Sequence, residues 1–133
     1  MLKAKKLTPV EWEIMETIWQ LGGAPSVREV LEKAFPGGEK AYTTVQTIMN
    51  ILEKKGLLKR EKKGLVNFYK PTISRDKIIE SEMSQMVSRM FQGSIPALAN
   101  YLIKLDNLSL NEIEKIKSLL DGKEAELKGK NHD

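Results

Sequence analysis

Apolar residues recur at helical spacing through the first part of the chain, and two of these stretches open with the same local signal. Residues 8–11 (TPVE) and 26–29 (SVRE) each place a hydroxyl residue three positions before a glutamate. In such a capping box, the two side chains satisfy backbone N–H groups at the start of a helix. We therefore predict one helix from Thr8 to about Leu21, and a shorter one from Ser26 to the break at Pro36.

A third helix is predicted between Ala41 and Lys55, and its two faces differ in character. The residues expected to face the core are Val45, Ile48, Met49 and Leu52. The residues turned outward together are Thr43, Thr44, Gln46, Thr47 and Asn50. Short, uncharged polar side chains can exchange hydrogen bonds with base edges and touch a thymine methyl group, whereas a merely solvated helix face usually carries Glu and Lys. The pattern indicates a candidate base-reading face.

Two strand-like stretches follow this helix, after Lys55 and Gly56 have supplied a helix-ending signal. Residues 57–61 and 65–69 are rich in Leu, Val, Phe and Tyr, and residues 62–64 (KKG) between them suit a hairpin turn. The order helix, helix, helix, strand, strand is that of a winged helix-turn-helix. In that arrangement we expect the third helix to enter the major groove of DNA while the hairpin lies near the backbone.

The positive charge of the chain is concentrated in this first half. Residues 1–73 contain 13 Lys and Arg against 8 Asp and Glu, a net of +5, whereas residues 74–133 contain 9 against 10, a net of −1. A basic surface attracts a polyanion because neutralising phosphates releases condensed counterions. The candidate phosphate contacts are Lys40, Tyr42, Lys54, Lys59, Arg60, Lys62 and Lys63. The alternatives are a solvated charge run for the basic residues and simple packing for Tyr42.

Three further helices are predicted between residues 74 and 121, and they are apolar on more than a narrow strip. Their apolar residues are Ile79, Met83, Met86, Val87, Met90, Phe91, Leu98, Leu102, Leu105, Ile113, Ile116, Leu119 and Leu120. A unit of about 50 residues buries too little surface to be stable alone, so we expect a second copy of the chain to cover these faces. The alternative is that these helices fold back onto residues 1–73. Residues 122–133 are expected to form a flexible tail.

The predicted fold class is mainly α with a small β-hairpin wing. It comprises an N-terminal winged helix-turn-helix DNA-binding domain over residues 1–73 and a C-terminal helical dimerisation domain over residues 74–121. We expect no enzyme activity, no cofactor and no metal site, since the chain has no cysteine, no Gly-rich phosphate loop and a single histidine, His132, in a charged tail. No apolar run resembles a signal peptide or a membrane span, so a cytoplasmic location without membrane insertion is expected.

Four collinear segments together resemble one known family. They are LTPVEWEIMETIW at residues 7–19, AYTTVQTIMNILEKKGLLKREKKG at residues 41–64, FYKP at residues 68–71 and NLSLNEIEKIKSLL at residues 107–120. Across residues 7 to about 121 the chain is similar to the penicillinase repressors, also called the BlaI/MecI/CopY family of transcriptional repressors. The resemblance implies a homodimer whose N-terminal winged helices bind an operator dyad and whose C-terminal helices form the dimer.

The resemblance also implies a way in which repression ends. In the β-lactam-responsive members a membrane-bound sensor protease triggers cleavage of an Asn-Phe bond in the dimerisation region, and Asn100-Tyr101 occupies the similar place here. The alternative for Tyr101 is plain helix packing. The copper-responsive branch relies on cysteine pairs, and this chain has no cysteine. Family members often carry Arg after the wing glycine, where this chain has Leu65, so the wing is expected to act mainly through Lys62 and Lys63.

We therefore expect a homodimeric repressor that presents two recognition helices to a pseudo-palindromic operator made of double-stranded DNA. Two other functions stay open: a winged-helix regulator controlled by a small-molecule ligand, and a winged-helix module whose outward helix face binds another protein. A salt titration of binding to random duplex DNA separates the second of these from a DNA-binding protein, because phosphate contacts give a steep salt dependence.

Overall fold

The computed structural model describes residues 6–105 and 107–130. Its helices and strands follow one another in the order that the sequence predicts. They are α1 (Pro9–Leu21), α2 (Val27–Ala34), α3 (Tyr42–Lys54), β1 (Leu58–Lys63), β2 (Val66–Pro71), α4 (Arg75–Phe91), α5 (Ile95–Ile103) and α6 (Leu110–Lys130). The fold is mainly helical, with one two-stranded antiparallel sheet that forms the wing. Within the described ranges no helix combines the length and the apolar character needed to cross a membrane. His132 lies outside the described residues.

The starts of α1 and α2 are fixed by the two predicted capping boxes. At α1 the Thr8 hydroxyl accepts from the Glu11 N–H at 3.2 Å, and the Glu11 carboxylate accepts from the Thr8 N–H at 2.8 Å. At α2 Ser26 and Glu29 make the same two bonds at 3.2 and 2.9 Å. Because these side chains satisfy N–H groups that have no partner within the helix, the sequence signal determines where each helix begins.

One hydrophobic core holds α1, α2, α3 and the hairpin together. Its largest fully buried side chains are Tyr69, Ile14, Met15, Ile18, Met49, Leu52, Val30 and Val45. Burying one such aliphatic or aromatic side chain contributes about 1.5–3 kcal/mol. Ile78, in the first turn of α4, joins the same core at 2% exposure. The first compact unit, Met1–Met86, therefore extends past the boundary expected at residue 73, and the second unit is Val87–Asp133.

The hairpin differs from the prediction at its turn. The strand pairing ends with Lys63 opposite Val66, so residues 64–65 form a two-residue turn. The turn predicted at residues 62–64 is therefore wrong, and the two lysines of that segment belong to β1. Gly64 has a φ of +64°, which the first position of such a turn requires and which glycine adopts without steric strain.

Burial sets the register of this hairpin. Leu58 and Tyr69 are 2% and 0% exposed, and Arg60, two residues after Leu58, is paired with Tyr69. Residues two apart on a strand point to the same face, so both buried side chains lie on the side that meets the core. A slip of one residue would turn them out to solvent. The core contact therefore fixes the turn, and the local run of lysines does not.

β2 attaches the wing to the helices. The Tyr69 N–H donates to the Pro25 carbonyl at 2.9 Å, and Phe68 forms an isolated bridge with Ser26 just before α2. Beyond the end of β2, the indole N–H of Trp19 donates to the Ile73 carbonyl at 3.1 Å. The hairpin is thus tied to the start of α2 and to α1, which gives the wing a fixed place beside the three helices.

The second unit has no buried residue among those the structure describes. Its longest helix, α6, begins at a capping box like those of α1 and α2, in which Ser109 and Glu112 exchange bonds of 3.2 and 2.9 Å. The expectation that this helix ends before Gly122 is wrong, since α6 continues to Lys130. Residues 122–130, which belong to the segment expected to be a flexible tail, are therefore helical.

Ion pairs between successive turns help to explain why α6 continues past Gly122, the first of its two glycines. Three of them lie beyond Gly122: Lys123 with Glu126 at 3.7 Å, Lys128 with Glu124 at 3.6 Å and Lys130 with Glu126 at 3.5 Å. Exposed pairs of this kind each stabilise a helix by about 0.2–0.5 kcal/mol, while one interior glycine costs roughly 1 kcal/mol. Together the pairs offset the cost of Gly122.

Candidate nucleic-acid interface

One face of α3 packs against the hydrophobic core, and the opposite face is directed toward solvent. Val45, Met49 and Leu52 are fully buried, and Ile48 packs against the same core. On the predicted outward face, Thr43, Thr44 and Thr47 are exposed, and Gln46 and Asn50 are half-buried. The exposed residues carry no charge, so this surface can approach DNA bases without an unpaired charge to desolvate.

The N-terminus of α3 differs from those of α1 and α2 in having no side-chain cap. Its N-cap residue, Ala41, offers only a carbonyl, which accepts from the N–H groups of Thr44 and Val45 at 3.1 and 3.2 Å. The preceding N–H groups at this helix end therefore meet no capping side chain. Such groups carry partial positive charge and suit a phosphate oxygen.

An arginine that the sequence did not single out lies at the same helix end. The Arg28 guanidinium, from α2, stands 5.1 Å from the centroid of the Tyr42 ring, and both side chains are exposed. A cation–π contact at an exposed site contributes about 0.5–1 kcal/mol. Tyr42 thus positions a second cation beside the start of α3, where Lys40 lies half-buried. Arg28 was missed because its contact with Tyr42 depends on how α2 packs on α3.

Thr47 uses its hydroxyl within the helix. Its Oγ1 donates to the Thr43 carbonyl one turn earlier at 2.9 Å. The hydroxyl hydrogen is therefore engaged, and the groups left for a partner are the methyl group and the lone pairs of the oxygen. A methyl group that points into the major groove suits contact with thymine.

Asn50 is joined to the wing by a long-range hydrogen bond that no local sequence pattern predicts. The Tyr69 hydroxyl donates to the Asn50 side-chain carbonyl at 2.7 Å. The Tyr69 side chain is fully buried, and burial raises the pKa of its hydroxyl, while the neighbouring Arg60 guanidinium acts in the opposite direction. A neutral, fixed hydroxyl therefore holds one end of the Asn50 amide.

The predicted phosphate-binding lysines of α3 and the wing all lie on the surface. Lys54, Lys59, Lys62 and Lys63 are exposed. Arg60 is exposed too, but its Nε lies 3.6 Å from the Glu53 carboxylate of α3. An exposed ion pair of this kind contributes only about 0–1 kcal/mol, so a phosphate can compete for the guanidinium.

Lys55 belongs to the same basic run in the sequence but has an internal partner. Its Nζ lies 2.6 Å from Glu11 Oε1, and the two side chains are 20% and 6% exposed. Burial would raise the pKa of the Glu11 carboxyl, but hydrogen bonds from Lys55 and Thr8 outweigh this, and the pKa lies below its ordinary value. Lys55 is therefore occupied in holding the end of α3 against the start of α1.

The tip of the wing is apolar and exposed. Leu65, in the turn, is 96% exposed, and Val66 next to it is 45% exposed. No cation therefore stands at the tip itself, and the nearest ones are Lys62 and Lys63 on β1. That the wing acts mainly through these two lysines stays a prediction.

The residues predicted to form a dimer fall into two groups. Met83, Met90, Leu102, Leu105, Ile116, Leu119 and Leu120 are exposed. Ile79, Met86, Val87, Phe91, Leu98 and Ile113 are half-buried. Ile103, which the helical pattern of α5 also includes, is exposed as well. Three further apolar residues of α5 and α6 that were not predicted are exposed too, namely Ile95, Leu110 and Leu127, because they lie outside the helical stripes that the sequence pattern selected.

The Asn100-Tyr101 bond lies inside a helix, near the end of α5. Tyr101 is 62% exposed, its ring centroid is 5.6 Å from that of Phe91, and the Lys104 ammonium group stands 5.8 Å from it. The tyrosine thus packs at one edge and is open at the other. Any protease would first have to unwind this last part of α5, where helix ends fray most readily.

The chemistry available at this interface is that of hydrogen bonds, ion pairs and apolar contact. Its groups are threonine hydroxyls, carboxamides, ammonium and guanidinium groups, and backbone N–H groups at a helix start. Within the described ranges, no three His, Cys, Asp or Glu side chains lie close enough together to hold a metal ion. The arrangement suits the binding of an anionic polymer that has phosphates along its backbone and hydrogen-bonding base edges in its grooves.

The chain has relatives among known proteins that match it over nearly its whole length. The sequence profile of the penicillinase repressor family matches residues 7–122. The chain is 27% identical over 121 residues to the penicillinase repressor of Bacillus licheniformis, covering 91% of this chain and 94% of that protein. It is 24% identical over 121 residues to the methicillin resistance regulatory protein MecI of Staphylococcus aureus strain N315, covering 91% and 98%.

Solved structures give a likeness of fold. A MarR family protein from Bacillus stearothermophilus aligns with a TM-score of 0.50 at 20% identity, covering 96% of this chain and 79% of that one, and this likeness concerns the fold alone. Because the family profile matches most of its length, the chain belongs to the penicillinase repressor family.

Proposed function

We propose that this protein is a transcriptional repressor that binds operator DNA as a homodimer, with α3 in the major groove and the β1–β2 hairpin against the phosphate backbone. The observation that carries the proposal is an uncharged polar helix face set beside a hairpin of exposed lysines. Membership of a family of repressors supports it.

Each group at the interface has a task in this arrangement. Thr43, Thr47 and Asn50 share the outer face of α3 and would approach base edges in the major groove. The N–H groups at the start of α3 and the guanidinium of Arg28 would meet one phosphate strand. The lysines of the wing would meet another, which fixes the orientation of the helix without reading sequence.

The DNA-binding part of the proposal is tested by the salt dependence of binding. We compare the wild type with the double variant Lys62→Ala/Lys63→Ala, using fluorescence anisotropy on a random-sequence duplex. The slope of log affinity against log salt should fall by about two units, since each phosphate contact contributes about one. Lys115→Ala/Lys117→Ala in α6 removes the same charge from exposed positions and should leave the slope unchanged.

The other outcomes have definite meanings. Weak binding without a steep salt slope in the wild type would favour a protein-interaction module and overturn the proposal. A steep slope that both double variants leave unchanged would show that the wing lysines do not meet phosphate.

The homodimer part of the proposal is supported by the second unit. The exposed apolar residues of α5 and α6 would be covered by the same helices of a second copy, as expected for a two-fold symmetric interface. Two α3 helices held in this way would bind half-sites about one turn of DNA apart, and the operator would be pseudo-palindromic.

We further propose that cleavage at Asn100-Tyr101 relieves repression, because it would separate α6 and the end of α5 from the rest of the chain. The exposure of Tyr101 and its place near a helix end support this site. Mass spectrometry of the protein recovered from its host before and after exposure to a β-lactam tests it. A fragment that ends at Asn100 is the expected product, and an intact chain under relieved repression would refute the site.

A further inference from the structure

We propose that Tyr69 determines which atoms of Asn50 face the DNA, and thereby which base edge this position of α3 selects. The Tyr69 hydroxyl holds the amide oxygen of Asn50. The amide NH₂ is then the group presented to the groove, and it suits an acceptor edge such as O6 or N7 of guanine. The inference rests on the proposed function, because it requires α3 to lie in the major groove.

The position of Asn50 on the outer face of α3 allows its side chain to contact a base edge. It shares the outer face of α3 with Thr47, one turn earlier, and Thr43, two turns earlier. Unlike these exposed threonines it is half-buried, because the hairpin side of α3 also carries the contact with Tyr69. One side of the amide therefore meets the protein and the other meets solvent.

The Tyr69 hydroxyl oxygen has a fixed position. The Tyr69 side chain is 0% exposed, and its backbone N–H is bonded to the Pro25 carbonyl at 2.9 Å. A fully packed ring cannot follow a flexible surface asparagine, so the 2.7 Å bond orients Asn50. Tyr69 acts here as a positioning residue that reaches DNA only through Asn50.

The direction of the hydrogen bond follows from the acceptor. The Asn50 side-chain carbonyl can only accept, so the Tyr69 hydroxyl donates its proton to it. Arg60 is paired with Tyr69 in the sheet register, but its Nε lies 3.6 Å from the Glu53 carboxylate.

The other end of the Asn50 amide is available to a partner. Its nitrogen has no acceptor among the described residues and is not a buried, unsatisfied atom. Bidentate pairing with adenine would need the oxygen and the nitrogen side by side against one base. Since the oxygen is directed at a buried hydroxyl, the single-donor contact is favoured over adenine pairing.

The test is selection of binding sites from a duplex library with randomised half-sites, performed with the full chain. The wild type should select a base with an exposed acceptor at one base pair of each half-site. Asn50→Asp keeps the size and the bond from Tyr69 but replaces the donors with acceptors, so selection at that base pair should move toward cytosine, whose N4 donates. Discrimination at that position should change at least about fivefold.

Tyr69→Phe tests the positioning role directly. Loss of the hydroxyl lets the Asn50 amide turn, so preference at that one base pair should shift toward adenine while the other positions keep theirs. A merely structural role would weaken all sites together and leave the selected motif unchanged. In an Asn50→Ala background Tyr69→Phe should no longer alter base preference, because the two residues act as one unit. Tyr101→Phe, on an exposed ring of α5, is the matched control.

The failure of this inference differs from the failure of the proposed function. If the wild type selects no sequence at all, the proposed function is wrong. If the wild type selects a motif that Asn50→Asp and Tyr69→Phe both leave unchanged, Asn50 does not read a base in the way described. Circular dichroism of each variant shows whether it is folded, and Asn50→Asp, which leaves the core intact, decides the matter if Tyr69→Phe unfolds.

Discussion

At the scale of single residues, Glu11 connects the start of α1 to the end of α3. Its carboxylate accepts from Lys55 Nζ at 2.6 Å and from the Thr8 N–H at 2.8 Å, and Lys55 also donates to the Lys6 carbonyl at 3.3 Å. Lys55 is the C-cap residue of α3, so the ion pair fixes the end of that helix. One carboxylate thus serves as the partner in a capping box and in a shielded ion pair.

We predict that Glu11→Gln destabilises the protein in a pH-dependent way. Gln keeps the bond to Thr8 but loses the ion pair, which should cost about 1–3 kcal/mol at neutral pH. The folded-state pKa of Glu11 lies below its ordinary value of 4.5, so its contribution is complete above that value and is lost as the pH falls through the folded-state pKa. Urea unfolding of both proteins from neutral to acidic pH measures the difference.

Glu13→Gln is the control for this experiment, because Glu13 lies exposed on the same helix. It should change stability little at any pH. A deficit of Glu11→Gln that stays the same in acid as at neutral pH would show that the ion pair is not its cause.

Single residues also show how much of the candidate site could be predicted from the sequence. The outward position of Thr43, Thr44 and Thr47 could be predicted, since helical periodicity alone decides it once the buried face is known. The partner of Asn50 could not be predicted. Tyr69 reaches it only through the packing of the hairpin on α3, a long-range contact that no local pattern encodes.

At the scale of elements, the same contrast separates helix starts from the hairpin turn and the end of α6. The starts of α1, α2 and α6 are determined by side chains three residues apart, so the sequence was sufficient. The turn depends on a register set by buried residues on both strands. The end of α6 depends on several weak ion pairs whose sum is similar to the cost of Gly122.

Two glycines allow a matched prediction about these elements. Gly64 has a φ of +64°, whereas Gly122 lies in α6 without a positive φ, and a Cβ at either would meet nothing within 4 Å. Gly64→Ala should therefore cost about 1–2 kcal/mol through backbone strain in the turn alone. Gly122→Ala should instead stabilise α6 by about 0.5–1 kcal/mol, since alanine is the better helix former.

Far-UV circular dichroism during thermal unfolding measures both changes. We expect a lower melting temperature for Gly64→Ala and a higher helix content for Gly122→Ala. Equal effects of the two substitutions, in either direction, would contradict the difference in backbone conformation between the turn and the helix.

At the scale of the whole molecule, charge and apolar surface are divided between the two halves of the chain. The net charge of +5 belongs to residues 1–73, whereas residues 74–133 carry −1. The first unit contains the buried core, and none of the described residues of the second unit is buried. The halves are thus suited to different partners, a polyanion for the first and an apolar surface for the second.

In the proposed function, strong operator binding depends on the dimer, and one residue of α6 tests this. Leu120 is 64% exposed, so Leu120→Asp should not disturb the fold of a protomer, but it would place two carboxylates in an apolar interface. Sedimentation equilibrium should show dimerisation weakened at least about tenfold, since burying one leucine contributes about 1.5–3 kcal/mol. Ser118→Asp, an exposed neighbour on another side of α6, should leave the dimer unchanged.

DNA binding by the same variants shows what the dimer contributes. Affinity for a duplex with one half-site should be the same for Leu120→Asp and the wild type, because the first unit is untouched. Affinity for two half-sites should fall toward the value for one, since the second contact is no longer intramolecular. If Leu120→Asp were monomeric and still bound two half-sites as tightly as the wild type, the dimer would not be the source of operator affinity, and α3 with its wing would have to supply it alone.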